Sequence, residues 1–290
     1  MSAPAGFDKV AIFVCSQKGG AGKTTFARAL LDVLRCEGYT VAAYDADGTV
    51  GQLLQHHGVR DARGVLLARQ DPRVGCGFFD IRADDDRDLL LNALATDPPI
   101  LLFDLPGGVV GELGKVVDGG DTPRGLFGEY RDRGYAVTIV VVMTPVPASV
   151  RTVQYSIDAF GATVRYVAVK NLAFGGEETF VLFDGCDQDD LRLPPSQGKQ
   201  ALLDQGGVIV TMPALHPRSY ALLDIHNLGY IEAVQGQGPA GPMPIADRVR
   251  VRHWLQEFDR RLTPARRLLG FAPDAEAWAR ADAEPVGAPA

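Results

Sequence analysis

"FVCSQKGGAGKTTFARAL", residues 13–30, is the stretch from which the rest of the chain is read. An apolar, β-branched run leads into it and an apolar stripe at helical spacing follows, so it is a strand–loop–helix junction. Gly19, Gly20 and Gly22 let the loop curl so that successive N–H groups face inward, and the start of the helix adds its dipole. Such a loop cradles phosphate oxygens. Lys23 is then placed to reach the β- and γ-phosphates, and the Thr24 hydroxyl to ligate Mg²⁺. The ordinary spacing G-x-x-x-x-G-K-[ST] asks for a glycine at position 17, which holds Gln17, and an additional lysine, Lys18, stands next to it. A merely glycine-rich turn would require neither the lysine nor the threonine.

Outward from this junction, further apolar runs read as strands buried on both faces of a parallel sheet: 9–16, 40–47, 99–107, 136–145, 163–171 and 207–215. Helical patterns alternate with them. Residues 24–38 place Phe26, Leu30, Val33 and Leu34 on one face and stop at Gly38. Residues 84–99 start acidic and end at Pro98-Pro99, which predicts one helix, and 147–161 predicts another with Ser149 as its N-cap. Alternation of this kind predicts an α/β fold, a doubly wound, mainly parallel sheet flanked by helices. A polar insertion, 172–206, breaks the rhythm, and 216–270 reads as two helices around a Gly/Pro linker. Residues 1–270 are expected to form a single domain with a helical cover over 216–270, and 271–290 a flexible tail.

The bulk numbers narrow the class. A net charge of −7 argues against a surface devoted to nucleic acid, although a local basic patch is compatible with it. Four scattered cysteines without a C-x-x-C pair fit a reducing compartment and neither a disulfide frame nor a zinc site. The start "MSAPAGFDKV" lacks the basic and apolar regions of a signal peptide, and no apolar run approaches the roughly 18 residues of a membrane span. A cytosolic protein is expected.

"KGGAGKTT" (18–25) resembles the deviant Walker A motif of the ParA/MinD family of P-loop ATPases, in which the early glycine is absent and a signature lysine precedes Gly-Gly. The resemblance implies a P-loop NTPase fold, ATP and Mg²⁺ as cofactors, and a nucleotide-binding loop of Lys18, Gly19, Gly20, Ala21, Gly22, Lys23, Thr24 and Thr25. It also implies that Lys18 crosses a two-fold interface to the phosphates of the partner subunit, so that ATP joins a homodimer face to face. In "AAYDADG" (42–48), Asp47 corresponds by resemblance to the residue that holds the attacking water, and Asp45 to support of the metal shell. "ILLFDLPGG" (100–108) supplies Asp104 as the Walker B carboxylate. The family continues differently after both: here Gly48-Thr49 follows Asp47, and Pro106-Gly107-Gly108 comes just after Asp104. Asn171, ending a strand, resembles the family residue that bonds the adenine edge. Met212-Pro213, after the last strand, is expected on position alone to pack beside the base. The N/T-K-x-D order of a guanine site is missing, which favours ATP over GTP. Catalysis would rest on Lys18, Lys23 and Asp47, and metal binding on Thr24, Asp104 and Asp45.

What such a switch moves is less determined. Partition of a plasmid or chromosome leads, with non-specific DNA bound by the ATP dimer, a nucleoid-associated location, and a partner protein that stimulates slow hydrolysis. An adaptor in plasmid mobilisation or conjugation is the alternative, with a protein docking on 111–135. A membrane-bound MinD-like switch would need "RRLTPARRLLGF" (260–271), but Pro264 interrupts it, and membrane binding is not expected. The DNA surface would be Arg248, Arg250 and Arg252, interleaved with acids. A biosynthetic ligase or kinase would need the 172–206 insertion as a pocket wall. An iron–sulfur carrier is excluded by the lack of cysteine in the segment after Asp104.

Overall fold

A computed structural model describes residues 9–116, 124–188, 190–238 and 241–272. Nine strands are present among them: β1 (Lys9–Cys15), β2 (Val41–Asp45), β3 (Gly77–Phe78), β4 (Ile100–Asp104), β5 (Tyr135–Met143), β6 (Arg165–Asn171), β7 (Cys186–Gln188), β8 (Leu191–Leu193) and β9 (Val208–Met212). Seven of them build one sheet in the order β3-β2-β4-β1-β5-β6-β9, with every neighbouring pair parallel. β1 lies between β4 and β5, where the winding reverses direction. Ligands in open parallel sheets bind at the carboxyl ends of the strands beside such a reversal.

Alternate residues of each strand go to opposite faces, and both faces are buried. From β1, Val10, Ile12 and Val14 join one core, while Ala11, Phe13 and Cys15 join the other. The first core is closed by α1 (Lys23–Cys36), α2 (Gln52–His57) and elements from the C-terminal part of the chain. The second is closed by α3 (Arg124–Asp132), α4 (Pro147–Phe160) and α5 (Gln197–Asp204). Phe103 stacks between Phe13 and Tyr44, at ring separations of 4.8 and 5.2 Å. Three adjacent strands are thereby pinned beneath the site.

Several local expectations change. Residues 84–99 are not one helix but two single turns, Asp84–Arg87 and Leu89–Asn92, and a 3₁₀ turn, Ala93–Thr96. The Leu90 carbonyl accepts the Tyr130 hydroxyl at 2.5 Å, a tertiary partner in the middle of the segment, and the buried Arg87 guanidinium binds the carbonyls of Ile81 and Arg82 just before it. Ser149 is not the cap of α4: Pro147 occupies the first turn, and the Ser149 hydroxyl accepts the Thr144 N–H at 2.8 Å instead. The insertion is structured by the β7–β8 hairpin and α5, tied down where Asp184 receives both Lys170 (2.5 Å) and Lys199 (2.9 Å).

The C-terminal part holds three helices rather than two, α6 (Pro217–His226), α7 (Tyr230–Gln235) and α8 (Ile245–Arg261), then a 3₁₀ turn, Thr263–Leu269. Leu262, Leu269 and Phe271 are buried in the first core. Arg266 is bound by Glu37 and Asp259. The stretch weighed as a membrane contact is therefore part of the packed interior. Among the described residues no helix is long and apolar enough to cross a membrane. The expected tail beyond Ala272 lies outside the described residues, as do 117–123 of the expected docking segment.

Candidate nucleotide site

α1 starts at Lys23 without a side-chain cap, and its first turn carries no acidic residue. Its leading N–H groups thus keep their hydrogen-bonding capacity for a ligand, and the helix dipole favours an anion there. Gly22, with φ +96°, turns the chain into the helix, and Gly20 is also left-handed at φ +71°. The loop opens onto a cavity of about 750 Å³. Gly19, Gly20, Gly22, Lys23, Thr24 and Thr25 line it, together with Asp45, Asp47, Asp104 and Asn171. Ala21 is buried and does not line it; neither does Lys18.

The carboxylates lie on one side of the loop. Asp45 and Asp104 are register partners on the adjacent strands β2 and β4. Asp45 accepts the Asp47 and Leu54 N–H groups, each at 3.1 Å, which fastens the start of α2 to the end of β2. Burial pushes Asp45 up to about 6, against the pull of those N–H bonds. Burial pushes Asp104 up to about 7, aided by repulsion from Asp45 and opposed by the Thr24 hydroxyl and the Lys23 ammonium. The Asp104 Oδ1 is buried and has no hydrogen-bond partner. A buried, unpartnered carboxylate oxygen beside a second carboxylate and a threonine hydroxyl is a poor arrangement without a cation. Mg²⁺ fits this donor set, since it binds through one or two carboxylates plus phosphate oxygens and water. Among the described residues there is no group of three or more His, Cys, Asp or Glu that could hold a metal alone.

Asp47 begins a tight turn. Its carboxylate accepts the Thr49 hydroxyl at 2.7 Å, and its carbonyl accepts the Val50 and Gly51 N–H groups. Thr49, part of the departure noted in the sequence, contributes its hydroxyl to this turn. The Pro106–Gly108 segment lies directly on the phosphate loop: a Cβ on Gly107 would stand 3.3 Å from the Gly19 nitrogen, and the Gly108 N–H donates to the Ser16 carbonyl at 3.1 Å.

On the other side of the loop, Asn171 holds structure together. Its amide donates to the Ala21 carbonyl at 2.9 Å, and its Oδ1 accepts the Ala173 N–H at 3.0 Å. Beyond it the wall is formed by Phe174, Met212–Leu215, Tyr220 and Trp254. Phe174, Tyr220 and Trp254 were missed in the sequence. Phe174 had a local signal, three residues past a strand end; Tyr220 and Trp254 arrive on α6 and α8, from far along the chain.

The expected basic surface is largely engaged. Arg248 donates to the Val234 carbonyl, and Arg250 and Arg218 pair with the buried Asp247. Of the three alternating arginines only Arg252 is exposed without such a bond.

Residues 12–237 match the model of the CobQ/CobB/MinD/ParA nucleotide-binding domain, and the chain belongs to that family. No curated protein sequence matches it. Among solved structures it is similar to the MinD cell division protein of Aquifex aeolicus, at 16% identity over 85% of this chain and 97% of that one, TM-score 0.44. It is also similar to the septum site-determining protein MinD with Mg-ADP from Pyrococcus horikoshii OT3, at 15% identity over 89% and 98%, TM-score 0.47. A third is a Cyanothece McdA variant in complex with ATP, at 11% identity over 93% and 100%, TM-score 0.45.

Proposed function

We propose that the chain is a molecular switch that binds ATP with Mg²⁺, hydrolyses it slowly and dimerises around it. The observation that carries this is the cavity in which an uncapped helix start, Lys23, Thr24 and the unpartnered Asp104 oxygen converge. The loop and Lys23 bind and orient the phosphates, Thr24 and Asp104 hold the cation with Asp45 behind them, and Asp47 positions water. Mg²⁺, when bound, neutralises charge on the phosphates. Lys18 does not line its own subunit's cavity, which supports a role on the partner's phosphates. The homodimer would complete the charge at the transferring phosphoryl group only on association.

The output is positioning or segregation of a cargo, with plasmid or chromosome partition leading and a stimulating partner protein. The bonding of Arg248 to the Val234 carbonyl and the pairing of Arg250 with Asp247 leave less unpaired positive charge on α8 and favour the second reading, a nucleotide-dependent adaptor whose contacts are with protein. Calorimetric titration with Mg·ATP, paired with phosphate release, tests the nucleotide part. Saturable ATP binding that Lys23→Ala abolishes is expected. No binding at millimolar Mg·ATP would overturn it.

A further inference from the structure

Phe174 is 48% exposed, yet it lines the same cavity as the phosphate loop. It closes a short turn, Leu172–Phe174, that is fixed at both ends. Asn171 caps the turn and ties it to Ala21 of the phosphate loop. Behind it, Gly175 at φ +138° is packed so tightly that a Cβ there would meet the Thr179 hydroxyl at 2.7 Å. An exposed aromatic ring on so constrained a turn faces little entropy cost of ordering the backbone when a ligand arrives.

The sheet order separates two chemistries. The carboxylates sit on β2 and β4, to one side of β1, whereas Phe174 follows β6 and Met212–Leu215 follow β9, to the other. On that second side the polar tips are already engaged: the Trp254 indole N–H donates to the Pro213 carbonyl at 2.8 Å, and the Tyr220 hydroxyl meets the Thr25 hydroxyl at 3.4 Å. The wall therefore offers carbon and aromatic surface with few free donors. Such a chamber suits a flat heteroaromatic ring held by stacking.

We propose that Phe174 covers the nucleobase, stacking on its face and holding it against the Met212–Leu215 wall. The proposal rests on the nucleotide reading given above and deepens it by assigning the base contact to an aromatic face rather than to Asn171 alone. Stacking tolerates any base, so the affinity from Phe174 is shared by purines, and discrimination falls to the few remaining polar groups.

The test uses the full chain with Mg·ATP and with inorganic triphosphate, which has the phosphates and no base. Phe174→Ala is expected to weaken ATP roughly 5- to 150-fold, the range of alanine substitutions at base-stacking aromatics. Triphosphate affinity stays within about twofold, because the phosphate loop is untouched, and Phe174→Trp restores ATP binding. Wild type that binds ATP, with Phe174→Ala binding it equally well, overturns the stacking role and leaves the nucleotide reading standing. Equal losses for ATP and triphosphate also overturn it, since the residue would then act through the loop. Failure of the wild type to bind either ligand removes both.

Discussion

Replacing Gly22 by alanine tests how the phosphate loop is held. Gly22 has φ +96°, and an added Cβ would lie 2.3 Å from the Asn171 Nδ2 and 3.2 Å from the Met212 Cε. An L-residue in the left-handed region costs on the order of 1–2 kcal/mol. The Asn171 amide would also have to leave the Ala21 carbonyl, and breaking a buried hydrogen bond costs about 1–3 kcal/mol when a partner is left unsatisfied. Together these give a destabilisation of about 2–5 kcal/mol, or on the order of 4–10 °C in Tm for a chain of this size. The severest overlap is with Asn171, while the Met212 methyl is the end of a flexible side chain, so a double-mutant cycle with Asn171 separates the main steric part. In Gly22→Ala/Asn171→Ala the bond to the Ala21 carbonyl is lost once, where the two single variants each lose it, making the pair less damaging than the sum by about 1–2 kcal/mol. Thermal and urea unfolding of the four proteins measure this. Strict additivity, or a Gly22→Ala protein melting within about 1 °C of wild type, would refute the geometry.

Two further outcomes follow from the buried charges. Asp104, raised from 3.8 to about 7, favours the folded state in its protonated form, so its contribution is full below about 4 and is lost as pH rises through 7. Urea midpoints without divalent cation should therefore fall between pH 5 and 8, with Mg²⁺ reducing the fall and Asp104→Asn removing only part of it, since burial also raises Asp32 to about 7 and Asp45 to about 6; a wild-type midpoint independent of pH contradicts this. Asp224 binds the buried Arg28 at 3.0 Å and lies 3.3 Å from the His56 Nε2, joining α1, α2 and α6. Asp224→Ala leaves Arg28, 1% exposed, with the Leu228 carbonyl as its remaining hydrogen-bond acceptor, and should cost about 2–4 kcal/mol by urea unfolding, with Asp224→Asn partly restoring it.

Much of the fold was legible because parallel strands buried on both faces read as continuous apolar runs, and six of the seven strands of the main sheet did so. β3 did not, since two residues, Gly77 and Phe78, carry no pattern. The phosphate loop and the strand-end Asp45 and Asp104 were legible for the same local reason: a loop chemistry follows directly from the strand that positions it. The helix pattern of 84–99 misled because the Leu90 carbonyl takes the Tyr130 hydroxyl, a tertiary bond that no periodicity displays. Arg248 is taken up by the Val234 carbonyl, a contact fixed by how α7 and α8 pack, whereas Arg250 pairs with Asp247 one turn away on its own helix and stays exposed. Asn171 lines the cavity, but its two bonds to backbone, which anchor Ala21 and Ala173, depend on the loop lying beside β6. Phe174 and Met212–Leu215 share one wall because the sheet order brings the ends of β6 and β9 together, and Trp254 of α8 joins them through its bond to the Pro213 carbonyl. Long-range proximity of that kind is written in topology, not in spacing.

The central claim is that ATP joins two copies through Lys18, and the mass of the Asp47→Ala protein in solution tests it most directly. Light scattering with Mg·ATP and then with Mg·ADP should show a dimer with ATP, a monomer with ADP, and loss of the ATP dimer in Asp47→Ala/Lys18→Ala. A monomer that holds Mg·ATP firmly would contradict the trans role of Lys18 and leave a nucleotide-binding protein without the dimer switch.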